Sequence, residues 1–439
     1  MSIWTPPTLL ELAAKRLLRD QASAISALEY LPVELFPYLF VMAYRGGCRP
    51  QLLKALAQAW PFTVLPLGVL MRRPPDHAPT RAAGLKAVFD ALDVLLAQEV
   101  RPRRCKLQVL DLRNMGANFW DMWLGVSTGN CSPTGPVTAH SSGPNMEHPL
   151  APLEVFLDLN FNEKDRDKFF MHIIQWAQQR EGLLHLCCKA LRISEVPFQR
   201  VRRVLDRVKL DCIQEVSVHC TWDLPTLRAF ALYLGQMSNL QKLLLLGELA
   251  EDGRLDQMLR CLQTPLDKLC LTYCQQLTHS DLTHLFQCPN LKQLKILYLY
   301  GLSLAGLSEP LRALLEAVAP TLQDLGLDKC GMADSQVEAI LPALSRCHQL
   351  REFSICVNNF PVSTVEKLLR RTAGLRSLEL ELYPVPLECY RTQGTVNQER
   401  LALIRAELTG VLRELGQPRT IHLVTKHLRH RKFYKLAFS

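Results

Sequence analysis

Four stretches recur at a constant interval of 28 residues: LDKLCLTYC from Leu266, LKILYLYGL from Leu294, LQDLGLDKC from Leu322 and LREFSICVN from Leu350. Each carries apolar residues at offsets 0, 3 and 5, and three of them place Cys274, Cys330 or Asn358 at offset 8. A unit this short cannot bury an apolar face alone, so successive units must stack, each adding a strand beside the last. Between strands the apolar spacing turns helical, as at Leu282 and Leu285 or at Leu311, Leu314, Leu315 and Val318. Further starts fit at Leu107, Leu183, Ile213, Leu240 and Leu375.

The pattern L-x-x-L-x-L-x-x-N/C is that of leucine-rich repeats. It predicts an α/β leucine-rich-repeat solenoid, a horseshoe with a parallel sheet on the concave face, helices on the convex face and a helical module at the N-terminus. Offsets 3 and 5 point inward, and the Cys or Asn at offset 8 hydrogen-bonds loop backbone that would otherwise be buried without partners. Offsets 2, 4 and 6 alternate with them and line the concave sheet. There Tyr298, Tyr300, Asp324, Asp328, Glu352, Glu379 and Glu381 form an acidic wall beside two tyrosines. Such a wall accepts a basic segment of a protein client, with Tyr298 and Tyr300 as anchors, or it merely keeps the sheet soluble.

Forty-eight per cent hydrophobic and 21% charged residues describe an ordinary globular chain, without an apolar run long enough for a bilayer. MSIWTPPTLLEL lacks the order of a secretory signal, which places the protein inside the cell and makes its fifteen cysteines mostly buried free thiols. Of the net charge of +9, six Lys/Arg fall between Arg419 and Ser439. No nucleic-acid recognition fold accompanies them, so that tail reads as a solvated terminus. Phosphate-loop, zinc-protease and nucleophile-elbow motifs are absent from the sequence. Cys270, Cys274, His279 and His284 do not converge as zinc ligands, because Cys270 and Cys274 face opposite sides of a strand. No catalytic residue, metal or cofactor is expected.

At the N-terminus, Thr8 and Glu11 make a capping box that starts a helix running to about Asp20. Leu9, Ala13 and Leu17 share one face of it. Thr8-Leu9-x-x-x-Ala13-x-x-x-Leu17 resembles the BC box that docks on elongin C, with Ala13 where that motif usually carries Cys. Leu31-Pro32-x-x-Leu35-x-x-x-Leu39 resembles the cullin-2 box that follows it. Both would be helix-in-groove contacts. LP-x-EL also opens many F-boxes, which use a Skp-type adaptor, and the same helices would equally serve as a cap on the solenoid.

AWPFTVLPLGVLM (59–71), ALDVLLAQEVRPRRCKLQVLDLRN (91–114), CTWDLPTL (220–227), YLGQMSNL (233–240) and LYPVPLECY (382–390) resemble the PRAME family, preferentially expressed antigen in melanoma. The resemblance runs through essentially the whole chain. It implies a substrate receptor of a cullin-2–elongin B/C ubiquitin ligase, with effects on transcription, differentiation, proliferation and apoptosis. A corepressor or scaffold, for example of retinoic acid receptor signalling, is the other role it implies. The expected order is adaptor-docking helices over 1–45, a helical cap over 46–104, and the solenoid over 105–390. A Ser/Thr/Gly/Pro-rich insertion occupies 125–149, with Phe119, Trp120 and Trp123 packed beside it. A cap helix, a strand and the basic tail complete 391–439.

Overall fold

A computed structural model describes residues 8–45, 49–67, 79–113, 152–161, 167–247, 255–274, 277–416, 418–426 and 432–438. The expected insertion at 125–149 and its neighbours Phe119, Trp120 and Trp123 lie outside these residues. Among the described residues the architecture is mixed α/β, with thirteen mostly parallel strands that neighbour one another in chain order. The chain forms two compact units, Met1–Asp158 with His172–Cys187, and Leu159–Met171 with Cys188–Ser439.

The first unit begins with four helices, α1 (Leu9–Leu17), α2 (Gln21–Ala27), α3 (Leu35–Arg45) and α4 (Pro50–Gln58). The Thr8–Glu11 capping box closes the start of α1, and Asp20 caps α2 by accepting from the amides of Ala22 and Ser23. Leu35, Phe36, Leu39 and Phe40 of α3 are all buried, and Phe40 meets Trp60 edge-on with ring centroids 5.5 Å apart. Arg104 donates to the Leu31 carbonyl at 2.8 Å and also to that of Leu28, which ties the start of α3 to the chain entering the sheet. The stretch expected as a helical cap, 46–104, also holds a strand, β1 (Val64–Pro66). It pairs in parallel with β2 (Val109–Asp111), Leu65 opposite Leu110, and β2 pairs in parallel with β3 (Leu153–Phe161), Leu110 opposite Val155. Pro61 and Pro66 deny helix to this stretch, and Thr63–Leu65 suits an edge strand.

In the second unit the 28-residue interval becomes a ladder. Strands β5 (Glu215–His219), β6 (Lys242–Leu246), β7 (Lys268–Thr272), β8 (Ile296–Tyr300), β9 (Asp324–Asp328) and β10 (Glu352–Ser354) pair in parallel. Leu271, Leu299 and Leu327 stand opposite one another and are buried, as the repeat requires. Asn358 is buried and saturated: its Oδ1 accepts from the amides of Cys330 (3.0 Å) and Met332 (3.3 Å), and its Nδ2 donates to the carbonyls of Leu327 (2.8 Å), Ile355 (3.0 Å) and Cys356 (3.4 Å). The Cys330 thiol reaches the carbonyls of Asp328 (3.2 Å) and Leu299 (3.3 Å). Just before each such position, at offset 7, the backbone is left-handed, at Tyr273, Gly301, Lys329 and Val357. Only Gly301 adopts this freely; at the β-branched Val357 the conformation costs about 1–2 kcal/mol.

Two repeat starts differ from expectation. Leu183 is 49% exposed, and on β4 (Leu184–Ser194) it is Leu191 and Ile193 that face Val216 and Val218 of β5, so that repeat begins at Cys188. The left-handed residue at its offset 7 is Glu195. The repeat assigned to Leu375 begins at Leu378, since β11 (Leu380–Pro384) sets Glu381 opposite the inward Phe353. A three-residue slip is odd, so it exchanges the two faces of the strand. Glu381 therefore lies in the interior, 1% exposed, paired with Arg419 and accepting from the Tyr383 hydroxyl at 2.7 Å. Arg419 opens β12 (Arg419–Val424), which adds in parallel to β11. Over 432–438 the basic end is not a free tail: β13 (Phe433–Phe438) pairs antiparallel with β12 and buries Leu436.

Candidate functional site

Two surfaces gather the residues singled out in the sequence. The first is α1. Its inner face, Ala14 with Leu18 just beyond, is buried, while Leu9 is 86% exposed, Ala13 is exposed and Leu17 is half-buried. The Leu9–Ala13–Leu17 stripe thus stays open along a helix whose first turn is fixed by reciprocal Thr8–Glu11 hydrogen bonds of 3.2 Å. The segment that resembles the cullin-2 box behaves differently. Leu31 is half-buried and Pro32 exposed, but Leu35 is buried and Leu39 is 0% exposed. These two leucines are core, in a helix that packs against α1 and α4, and they are withdrawn as contact residues.

The second surface is the open face of β7–β10. Tyr298 lies over Gly326, its register partner, so closely that no Cβ fits there. Its hydroxyl donates to Glu352 at 3.1 Å, and Lys268 Nζ stands 5.8 Å from its ring centroid. Burial first, then the charges of Asp324 and Glu352, push the Tyr298 phenol well above its usual range. Tyr300 meets Tyr273 edge-on at 5.0 Å, and Lys329 Nζ lies 5.0 Å from the Tyr273 ring centroid. With Asp328, the three tyrosines border an open pocket of about 470 Å³.

Asp324 and Glu352 stand directly opposite each other in the ladder. Like charges so placed repel; burial, followed by this neighbour, raises the Asp324 carboxyl above its ordinary range, against the pull of Arg351 and Lys268. The other acids of the expected wall are engaged. Asp328 accepts from the Ser354 hydroxyl (2.7 Å) and the Cys356 amide (2.6 Å), which makes it part of the strand's own scaffold. Glu379 is exposed, but at offset 1 it pairs with Arg351 at 3.1 Å. Glu381 leaves the surface entirely, for the reason of register given above. What remains for a cation is the Asp324–Glu352 pair beside Tyr298 and Tyr300. Tyr273 escaped notice because offset 7 carries no alternation signal; its left-handed backbone turns the ring toward Tyr300.

Cys274 faces the interior and burial pushes its thiol up to about 12, whereas Cys270 is half-buried on the open face. Among the described residues no group of three or more His, Cys, Asp or Glu is placed to hold a metal ion. No helix among them is long and apolar enough to cross a membrane.

The chain matches the family models for the PRAME N-terminal domain over residues 6–120 and the PRAME C-terminal domain over 153–251 and 246–438. It is similar to human PRAME family member 8 and PRAME family member 7, each 46% identical over 97% of this chain and 96% of the relative. Human PRAME family member 17 is 41% identical over 96% of the chain and 95% of its own length. With both domains matched and the relatives covered almost end to end, this chain belongs to the PRAME family.

Proposed function

We propose that the chain is the substrate-recognition subunit of a cullin-2–elongin B/C ubiquitin ligase. In this reading α1 docks on elongin C through Leu9, Ala13 and Leu17. The open sheet face holds a client, with Asp324 and Glu352 receiving a basic side chain and Tyr298 and Tyr300 stacking against it. Ubiquitin transfer belongs to other subunits, and proteasomal loss of clients in the cytoplasm and nucleus is the route to effects on transcription, differentiation, proliferation and apoptosis.

The observation that carries the reading is the two-sidedness of α1. A helix that only capped the unit would have no use for a leucine 86% exposed at its first position. Here Leu9 and Ala13 of the i, i+4 stripe stand exposed and Leu17 half-buried, while Ala14 and Leu18 are buried. That is the form of a helix-in-groove anchor.

Co-expressed with elongin B and C, the wild-type chain is expected to co-elute with them in gel filtration. Leu9→Asp is expected to abolish co-elution, since an anchor lost from an apolar pocket costs about 2 kcal/mol or more. The fold is not at risk, because Leu9 contributes little to the core. Co-elution unchanged by Leu9→Asp would remove the docking role, and recovery of a Skp-type adaptor in place of elongin would favour the F-box alternative.

A further inference from the structure

Two glycines make the room for the tyrosine pocket on the open face of β7–β9. Tyr273 and Tyr298 each lie toward the following repeat, where offsets 7 and 4 hold Gly301 and Gly326. A Cβ at Gly301 would stand 2.9 Å from the Tyr273 ring, and none fits at Gly326 beneath Tyr298. Tyr300, at offset 6, meets Tyr273 edge-on at 74° between the ring planes. Three rings therefore border the one open pocket of about 470 Å³. Of the residues that line it, Asp328 alone carries a charge.

Ring faces attract a cation within about 6 Å of their centroids. The chain's own lysines already use two of these: Lys329 Nζ stands 5.0 Å from the Tyr273 centroid and Lys268 Nζ 5.8 Å from that of Tyr298. The pocket suits one kind of cation better than another. A primary ammonium has three N–H donors, each of which needs an acceptor once it leaves water. Asp328 Oδ1 already accepts from the Ser354 hydroxyl and the Cys356 amide, so that oxygen is committed while its charge remains. A quaternary ammonium has no N–H to satisfy and needs only ring faces and a nearby negative charge. An unmodified lysine or arginine is better served by the Asp324–Glu352 pair, toward which the Tyr298 hydroxyl donates.

We infer that the pocket of Tyr273, Tyr298 and Tyr300 binds a methylated lysine of the client, trimethyllysine best. This rests on the reading of the open sheet face as the client surface and names the chemistry that selects the client there. The methylated side chain enters the tyrosine pocket, and a neighbouring unmodified basic residue takes Asp324 and Glu352. Lys329 competes with the client for the Tyr273 ring, so the pocket discriminates against weakly held cations. Client choice then depends on a modification that changes the lysine's hydration and leaves its charge in place.

The test uses the full chain and three fluorescein-labelled synthetic peptides of glycine and arginine about one central residue. That residue is lysine, trimethyllysine or the neutral isostere with tert-butyl in place of trimethylammonium. Anisotropy at low salt is expected to show the trimethyllysine peptide bound about tenfold tighter than either of the others. Tyr300→Leu is expected to bring the lysine and trimethyllysine peptides within about twofold of each other. Tyr300→Phe keeps the ring and is expected to keep the preference. Lys329→Gln removes the competing ammonium and is expected to tighten the trimethyllysine peptide about threefold or more. Equal binding of trimethyllysine and its isostere, or a preference untouched by Tyr300→Leu, would overturn the inference. If the lysine and trimethyllysine peptides bind alike and Asp324→Asn weakens both, the client reading stands and this inference alone fails. Capture of the chain on phosphatidylcholine vesicles, lost in Tyr300→Leu, would assign the pocket to a lipid headgroup and overturn it as well.

Discussion

Glu381→Ala is expected to cost about 3–5 kcal/mol, the range for breaking a buried ion pair from one side. Among the described residues Glu381 is the carboxylate that pairs with Arg419. Its guanidinium donates twice to Glu381, once to the Thr372 hydroxyl and once to the Leu369 carbonyl at 2.9 Å, while Tyr383 donates to the same carboxylate. Burial is the largest influence and opposes the charge on Arg419, but the Glu381 hydrogen bonds together with the charges of Tyr383 and Glu381 outweigh it. Removing the carboxylate strands a buried cation between β11 and β12. A repeat protein loses stability locally before it loses it globally, so the effect is expected as a new early step in urea unfolding. Hydrogen-exchange protection is expected to be lost over Leu380–Pro384 and Arg419–Val424. Glu381→Leu with Arg419→Met, which removes both charges, is expected to restore most of it. Glu381→Ala behaving within about 0.5 kcal/mol of wild type, as an ordinary surface substitution does, would contradict the register assigned to this repeat.

The second large effect lies at the turn after β10. Asn358→Ala leaves two amides and three carbonyls of neighbouring turns without their partner. A single buried polar group left unsatisfied costs about 1–3 kcal/mol. Water reaching part of the opened site limits the sum, and a loss of about 3 kcal/mol is expected. Asn358→Asp keeps acceptors for Cys330 and Met332 but turns a charged oxygen toward the carbonyls of Leu327, Ile355 and Cys356, so it is expected to rescue little. Chemical denaturation followed at the β9–β10 repeats measures both variants; Asn358→Asp matching wild type would show that the carbonyl side of this network carries no weight.

The inward positions from Ile213 to Ile355 were legible because a constant interval and an apolar 0, 3, 5 pattern coincided there. Where they parted, apolar content misled. In LRSLELEL the leucines at 375, 378 and 380 satisfy the pattern, yet the interval from Leu350 points to Leu378, and the structure follows the interval. A buried glutamate at offset 3 makes sense only with Arg419, 38 residues away, which no local pattern reveals. Leu183 failed in the same manner, since Cys188 is a poorer match at offset 0 than a leucine. For the docking helices, i, i+4 spacing is identical for an open stripe and a core face. Only tertiary packing separates Leu9 and Ala13, left outside, from Leu35 and Leu39, folded in. On the sheet face, sign was legible but pairing was not: Arg351 takes Glu379, and backbone and serine take Asp328.

The most direct measurement of the central claim is a hydrogen-exchange footprint of the full chain with and without purified elongin B/C. The account predicts new protection confined to α1, Leu9–Leu17, with Leu35–Arg45 unchanged because Leu35 and Leu39 are already core. No added protection on α1, or protection that appears only with opening of α3, would contradict it.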